Sequence, residues 1–186
     1  MQIIKHAHKL DVETGTYTTQ GIKPHNEDAV GVFIPSDIHE LTNKGICALV
    51  ADGVSTAEAG KEASDTTVSQ FIDDYYNTPD TWSVSNSAEK IISAINLKLY
   101  RQSHTYRTEG KGYLCTLCAT VIKSRTAHIF HVGDCQIVKI NSDGYQELTK
   151  DHATASGTLT RALGADSHIE VDYKSTSLAP QDILML

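Results

Sequence analysis

Gly45-Ile46-Cys47-Ala48-Leu49-Val50-Ala51-Asp52-Gly53 is an unbroken apolar run that ends on a carboxylate and a glycine. Such a run reads as a buried strand. A strand end holds a charged side chain rigidly, and a carboxylate in that position needs a cation. Two more carboxylate motifs stand beside or at the end of apolar, strand-like runs: Asn26-Glu27-Asp28 and Val132-Gly133-Asp134.

Outward from this run, residues 15–20 and 29–34 read as short strands, the second ended by Pro35-Ser36-Asp37. Residues 58–76 carry Ala63, Thr67, Phe71, Ile72 and Tyr75 on one helical face, and Asn77-Thr78-Pro79-Asp80 stops that helix. A second helix begins near Asn86 or Ser87 and runs to about Arg107, with Ala88, Ile91, Ile92, Ile95 and Leu99 as its apolar stripe. Strands follow at 113–122, 127–132, 136–140 and 146–149, and Asp143-Gly144 marks a hairpin between the last two. Residues 180–186 read as a buried strand that ends in mid-run, so the domain is expected to be incomplete at its C-terminus. Strands, then a helical pair, then strands again imply an α+β fold with antiparallel sheets.

The length of 186 residues suits one globular domain, and 40% hydrophobic with 21% charged residues excludes disordered and membrane classes. A net charge of -7 argues against a basic nucleic-acid groove. Cys47, Cys115, Cys118 and Cys135 lie in apolar runs, which predicts buried free thiols in a reducing compartment and no disulfides. There is no apolar stretch of signal-peptide or membrane-span length, so a cytoplasmic location without membrane contact is expected.

Mg²⁺ and Mn²⁺ take oxygen ligands, and Glu27 and Asp52 suit them. Gly53 lets the backbone approach an ion, so its carbonyl is a further candidate ligand, and Asp52 is placed to bridge two ions. Singly, each motif has a plainer reading: Asp-Gly as a turn, Asn-Glu-Asp as a solvated loop, Gly-Asp as a strand end.

Taken in order from Gly21 to Leu186, the motifs resemble those of the metal-dependent protein phosphatase (PPM) family, the type 2C serine/threonine phosphatases. Asn26-Glu27-Asp28 is similar to the first acidic motif. Val50-Ala51-Asp52-Gly53 is similar to the second, followed by Gly60, Ala63 and Ser64 opening a helix. His131-Val132-Gly133-Asp134 resembles the Gly-Asp strand motif, Leu148-Thr149-Lys150-Asp151-His152 the Leu-Thr-x-Asp-His stretch, and Thr160-Arg161-Ala162-Leu163-Gly164 the Thr-Arg-x-Leu-Gly segment.

The resemblance implies one PPM-type domain over residues 1–186, a sandwich of two antiparallel β-sheets flanked by α-helices, and a two-metal site at the sheet ends. Glu27, Asp52 and the Gly53 carbonyl would be ligands, Asp134 would serve a third, weaker ion, and Asp28 would order its motif through hydrogen bonds. The implied reaction is attack of metal-activated water on phosphoserine or phosphothreonine of a protein substrate, without a side-chain nucleophile or phosphoenzyme. A cognate kinase is an expected further partner.

The chain also departs from the pattern. Lys23 stands where the family has a phosphate-binding arginine, and a lysine is a point charge without the planar bidentate fork. Ser55-Thr56 replaces a glycine pair, and Cys135-Gln136 replaces Ser-Arg after Gly133-Asp134. The family's later aspartate motifs would lie past Leu186, which predicts weak activity for this polypeptide, and Asp182 is read as a strand start rather than a ligand. A pseudophosphatase that binds a phosphoprotein or kinase without turnover is the competing reading.

Three other features compete with plainer readings. Cys115-x-x-Cys118 invites a zinc or redox site, but on a strand the two face opposite ways, and buried thiols are expected. His128 and His131 likewise point to opposite faces and are read as core or edge histidines. Asp151-His152 lacks an accompanying nucleophile motif and reads as a structural loop near the cleft.

Overall fold

The apolar run at 45–53 forms a strand with partners on both sides. The computed structural model describes residues 12–104 and 112–186. In chain order the elements are β1 (Asp28–Phe33), α1 (Ile38–Lys44), β2 (Ile46–Asp52), α2 (Gly60–Tyr76), α3 (Val84–Ser103), β3 (Leu117–Lys123), β4 (Thr126–Val132), β5 (Val138–Asn141), β6 (Gly144–Glu147), β7 (Asp172–Ser177) and β8 (Ile183–Met185). They form a five-stranded sheet in the order β1-β2-β3-β4-β7 and a three-stranded sheet in the order β6-β5-β8. Every pairing is antiparallel, as the α+β reading expects.

Alternation along the central strands builds two cores. Leu117, Ala119 and Val121 on β3 and Phe130 and Val132 on β4 face the helices, where Ala63, Phe71 and Tyr75 of α2 and Ala88, Ile92, Ile95 and Leu99 of α3 complete the main cluster. The intervening residues Cys118 and Ile129 face the other way. They meet Ile137 and Leu148 in a smaller core, with Leu184 of β8 packed against it. The five-stranded sheet is therefore the middle layer, between helices and second sheet. The Ser83 hydroxyl caps α3 by accepting from the Asn86 N–H at 3.2 Å, three residues before the expected start. The expected end of this helix near Arg107 lies outside the described residues.

Several expectations are corrected. Among the described residues, 15–20 pair with no strand, and they are exposed, because they lack the apolar alternation that would bury one face. Residues 38–44 form α1, started by Asp37, whose carboxylate accepts from the Glu40 N–H at 2.9 Å, and ended by Gly45 at φ 81°. The strand expected from 113 begins only at Leu117, since Cys115 instead bridges singly to Gly53 and Leu163. β7 went unpredicted because Asp-Tyr-Lys-Ser-Thr-Ser is an exposed, polar edge strand. β8 is not buried: Ile183 is 58% and Met185 55% exposed, and only the Leu184 side packs inward. The hairpin at 141–144 forms as expected, with Gly144 at φ 125° and Asn141 Oδ1 accepting from the Asp143 N–H at 2.9 Å. Cys47, Cys115 and Cys118 are buried thiols, while Cys135 is partly exposed. Among the described residues no helix is long and apolar enough to cross a membrane.

Candidate active site

The antiparallel register of β1 and β2 sets Asp28 opposite Asp52, which puts the first two acidic motifs side by side at one sheet edge. The Glu27 carbonyl, one residue before β1, accepts from the Gly53 N–H at 3.1 Å and from the Ser64 hydroxyl of α2 at 2.6 Å. One backbone oxygen thus ties two strand ends and a helix together. The approach requires glycines: a Cβ on Gly53 would stand 2.4 Å from the Gly60 carbonyl carbon and oxygen, and one on Gly60 3.2 Å from Glu27 Oε1. Asp52 is also held by Thr116, the residue before β3, its N–H donating to Thr116 Oγ1 at 3.2 Å and its carbonyl accepting from the Thr116 N–H at 2.8 Å.

Asn26 orders the first motif. Its Oδ1 accepts from the Asp28 N–H at 3.1 Å, and its amide donates to Thr18 Oγ1 at 2.9 Å. The Asp28 carbonyl accepts from the Lys61 ammonium at 3.0 Å, while the Asp28 carboxyl is turned towards Asp52. Burial pushes the Asp52 carboxyl up to about 6; the hydrogen bond and charge of Asp28 and the charge of Asp134 push the same way, and Lys23 opposes them. Asp52 Oδ1 is buried without a hydrogen-bond partner. A buried carboxylate oxygen facing a second carboxyl requires a proton or a cation.

Asp134 lies on the exposed turn after β4, close enough for its charge to act on Asp52. Side chains carrying no acid motif hold that turn. His152 donates its backbone N–H to the Gly133 carbonyl at 2.7 Å, and its Nδ1 accepts from the Gly133 N–H at 3.1 Å. This assigns the ring proton to Nε2, which faces Asp172 Oδ2 at 3.2 Å. Burial pushes the His152 imidazole below its ordinary value, against the pull of Asp172. Arg161 closes the bracket with contacts of 2.7 Å to Asp172 and 3.2 Å to Glu170. The Asp151-His152 loop is therefore structural, as its sequence suggests, and its task is to support Gly133-Asp134.

Lys23 is exposed and donates to the Ser55 hydroxyl at 3.1 Å, near enough to Asp52 to oppose its raised pKa. Asp182 immediately precedes β8: its carboxylate accepts from the Ala179 N–H at 2.9 Å and faces Lys139 at 3.5 Å. The fold thus brings Asp28, Asp52, Lys23 and Asp134 into electrostatic contact, with the Glu27 and Gly53 backbones joined. Among the described residues, the sets of three or more potential donor side chains within 4.8 Å of one another are Cys118–His131–Cys135 and His131–His152–Asp172, and neither includes Glu27, Asp52 or Asp134. Sequence reasoning passed over the carboxyl of Asp28 as a partner of Asp52, although its position beside Glu27 at a strand start was the available signal. It also passed over Asp172, whose polar surroundings gave none.

The protein phosphatase 2C profile matches residues 22–186. The structure is similar to the serine/threonine phosphatase Stp1 from Staphylococcus aureus, with a TM-score of 0.75 at 22% identity over 92% of this chain and 76% of that one. It is similar to PppA, a regulatory component of the T6SS in Pseudomonas aeruginosa, with a TM-score of 0.72 at 18% identity over 89% and 72%. It is also similar to the Mycobacterium tuberculosis serine/threonine phosphatase PstP/Ppp, with a TM-score of 0.67 at 17% identity over 87% and 71%. Likenesses at such identities concern the fold. Among curated proteins no match is found. With the profile spanning nearly all of the chain and the fold agreeing, the chain belongs to the protein phosphatase 2C family of serine/threonine phosphatases.

Proposed function

We propose that this chain, read as one phosphatase domain, hydrolyses phosphoserine or phosphothreonine in a protein substrate with Mg²⁺ or Mn²⁺ held at Glu27, Asp52, the Gly53 carbonyl and Asp134. The observation that carries the reading is the pairing of Asp28 with Asp52 around a buried, unpartnered Asp52 oxygen. That donor set consists of hard oxygens, which fits these cations, and the closely approached Gly53 and Gly60 keep side chains out of the cradle. When bound, a pair of such ions polarises a phosphoryl group and makes a nucleophilic water available near neutral pH.

The residues divide the remaining tasks. Glu27 and Asp52 bind from two adjacent strand ends whose separation is set by the Gly53–Glu27 backbone hydrogen bond. Burial, and then Asp28 beside it, raises the proton affinity of Asp52, so as pH falls towards 6 the pair would hold a proton in competition with a cation. Lys23 offers an exposed ammonium to the substrate phosphate, Ser55 holding it near the site.

The test is Mn²⁺-dependent hydrolysis of a phosphothreonine peptide by the wild-type chain and by Asp52→Asn. The reading expects turnover that needs the cation and falls at least about 100-fold in the variant. Equal turnover by the two proteins overturns the metal assignment. Peptide binding without any turnover would support instead a domain that recognises phosphoproteins.

A further inference from the structure

The zinc reading suggested by Cys115-x-x-Cys118 fails in the fold, yet one of its cysteines finds different company. Cys115 points to the helix side, where its thiol lies 3.2 Å from Thr67 Oγ1. Cys118 points to the opposite face of β3 and is fully buried. The β3–β4 register sets Cys118 directly opposite His131, so both side chains leave the same face of the sheet. After β4 the chain turns at Gly133, φ 109°, where His152 holds the backbone, and Cys135 returns against the same core. One donor atom from each of Cys118, His131 and Cys135 lies within 4.8 Å of the others.

We propose that Cys118, His131 and Cys135 form a site for a thiophilic divalent cation, zinc first among them, separate from the carboxylate centre. His131 supplies the independent observation. It is 1% exposed, and both Nδ1 and Nε2 are buried outside good hydrogen-bond geometry, with the Cys135 thiol as a polar group they act on. Leaving two imidazole nitrogens unpaired in an apolar layer is costly, and a metal ion on one of them removes half of that cost.

Two thiolates and an imidazole select zinc over Mg²⁺ or Mn²⁺. Zinc lies about 2.3 Å from sulfur and about 2.0 Å from nitrogen, so tetrahedral ligands stand roughly 3.3–3.8 Å apart, and small rotamer changes bring these three donors onto one ion. Three protein ligands leave a fourth position for water. As two S–Zn bonds form, each thiol that still carries its proton gives it to solvent, with no change of oxidation state. Partly exposed Cys135 provides the way in. His131 also lies within 4.8 Å of donor atoms of His152 and Asp172, whose carboxylate is engaged by His152 and Arg161. His131 and His152 rings sit 4.7 Å apart, which limits how far the imidazole can swing.

The experiment titrates the full chain, reduced and stripped of metal, with Zn²⁺ against a chromogenic chelator, and repeats it with Co²⁺ to detect sulfur-to-cobalt charge-transfer absorption. The proposal expects one tight equivalent with a thiolate band. It expects at least a tenfold loss of affinity in Cys118→Ser, His131→Gln and Cys135→Ser, and retention in Cys47→Ser and Asp52→Asn. Cys135→Ser alters a partly exposed side chain, so its fold can be verified by circular dichroism even if the two buried variants unfold. No stoichiometric binding by the reduced wild type overturns the proposal, as does an unchanged band and affinity in folded Cys135→Ser. Binding lost in Asp52→Asn but kept in Cys135→Ser would assign the zinc to the carboxylate centre and overturn it equally.

Discussion

Asp28 and Asp52 face each other residue for residue across the first two strands, and Oδ1 of Asp52 is buried there without a hydrogen-bond partner. Antiparallel pairing sends directly opposed side chains to the same face, so the two carboxyls cannot avoid one another. Without a cation the pair retains a proton more firmly than an isolated aspartate.

That relationship has a pH signature in the metal-free chain. The Asp52 pKa is raised to about 6 in the fold from an ordinary 3.8, so the native state binds more protons than the unfolded state between these values. This contribution to stability is complete below about pH 4 and is lost as pH rises through 6. One unit is worth about 1.4 kcal/mol, and partial solvent access reduces the whole effect to about 1–2 kcal/mol. Asp52→Asn in chelator should therefore be more stable than wild type at pH 7, and the advantage should shrink at pH 4. Denaturant unfolding at the two pH values checks it, and an equal difference at both would count against the buried pair.

Gly53→Ala forces a methyl group to within 2.4 Å of the Gly60 backbone, which has no flexible side chain to yield. A loss of about 2–3 kcal/mol is expected from such overpacking. Mn²⁺ affinity should fall with it, since the strand end must move away from α2. Thermal unfolding with and without Mn²⁺ separates the two effects.

Ser64→Ala removes the 2.6 Å hydrogen bond to the Glu27 carbonyl but leaves the Gly53 N–H in place. The expected cost is about 1 kcal/mol, because the acceptor keeps one donor. Chemical denaturation should show this modest loss, with Mn²⁺ affinity weakened less than in Gly53→Ala.

Lys23→Ala should raise KM for a phosphopeptide about 3- to 10-fold while leaving the fold intact, since its ammonium makes an exposed contact with Ser55. Lys23→Arg should restore or improve binding through a bidentate contact. Steady-state kinetics at two salt concentrations tests this: an unchanged KM for Lys23→Ala would remove Lys23 from the phosphate site.

Tyr75 is 1% exposed, and its hydroxyl donates to the Lys44 carbonyl at 2.9 Å, linking α2 to the end of α1. Tyr75→Phe leaves that carbonyl without this donor and should destabilise by about 1–2 kcal/mol, measured as a lower urea midpoint with an unchanged m-value.

Local pattern was enough for part of this protein. The apolar run ending at Asp52 is β2, the 3.6-residue stripes of α2 and α3 bury the residues they mark except half-buried Ile72, and Asp143-Gly144 turns the β5–β6 hairpin. These succeed because period and turn chemistry are properties of a few consecutive residues. The acidic motifs were legible for the same reason, each being short and contiguous. Exposed β7 and seven-residue α1 escaped, since a polar edge strand and a single short capped helix carry little periodicity.

What only the tertiary structure decided is which residues meet. Strand register, set by burial of the whole sheet, faces Asp28 to Asp52 and Cys118 to His131, and it separates Cys115 from Cys118 although they are neighbours in the chain. Whether a carboxyl or an imidazole nitrogen is left without a partner depends on atoms brought from distant segments under a low-dielectric layer. No window of sequence contains that information, because pairing across a sheet is selected by the total packing of both faces and not by any one strand.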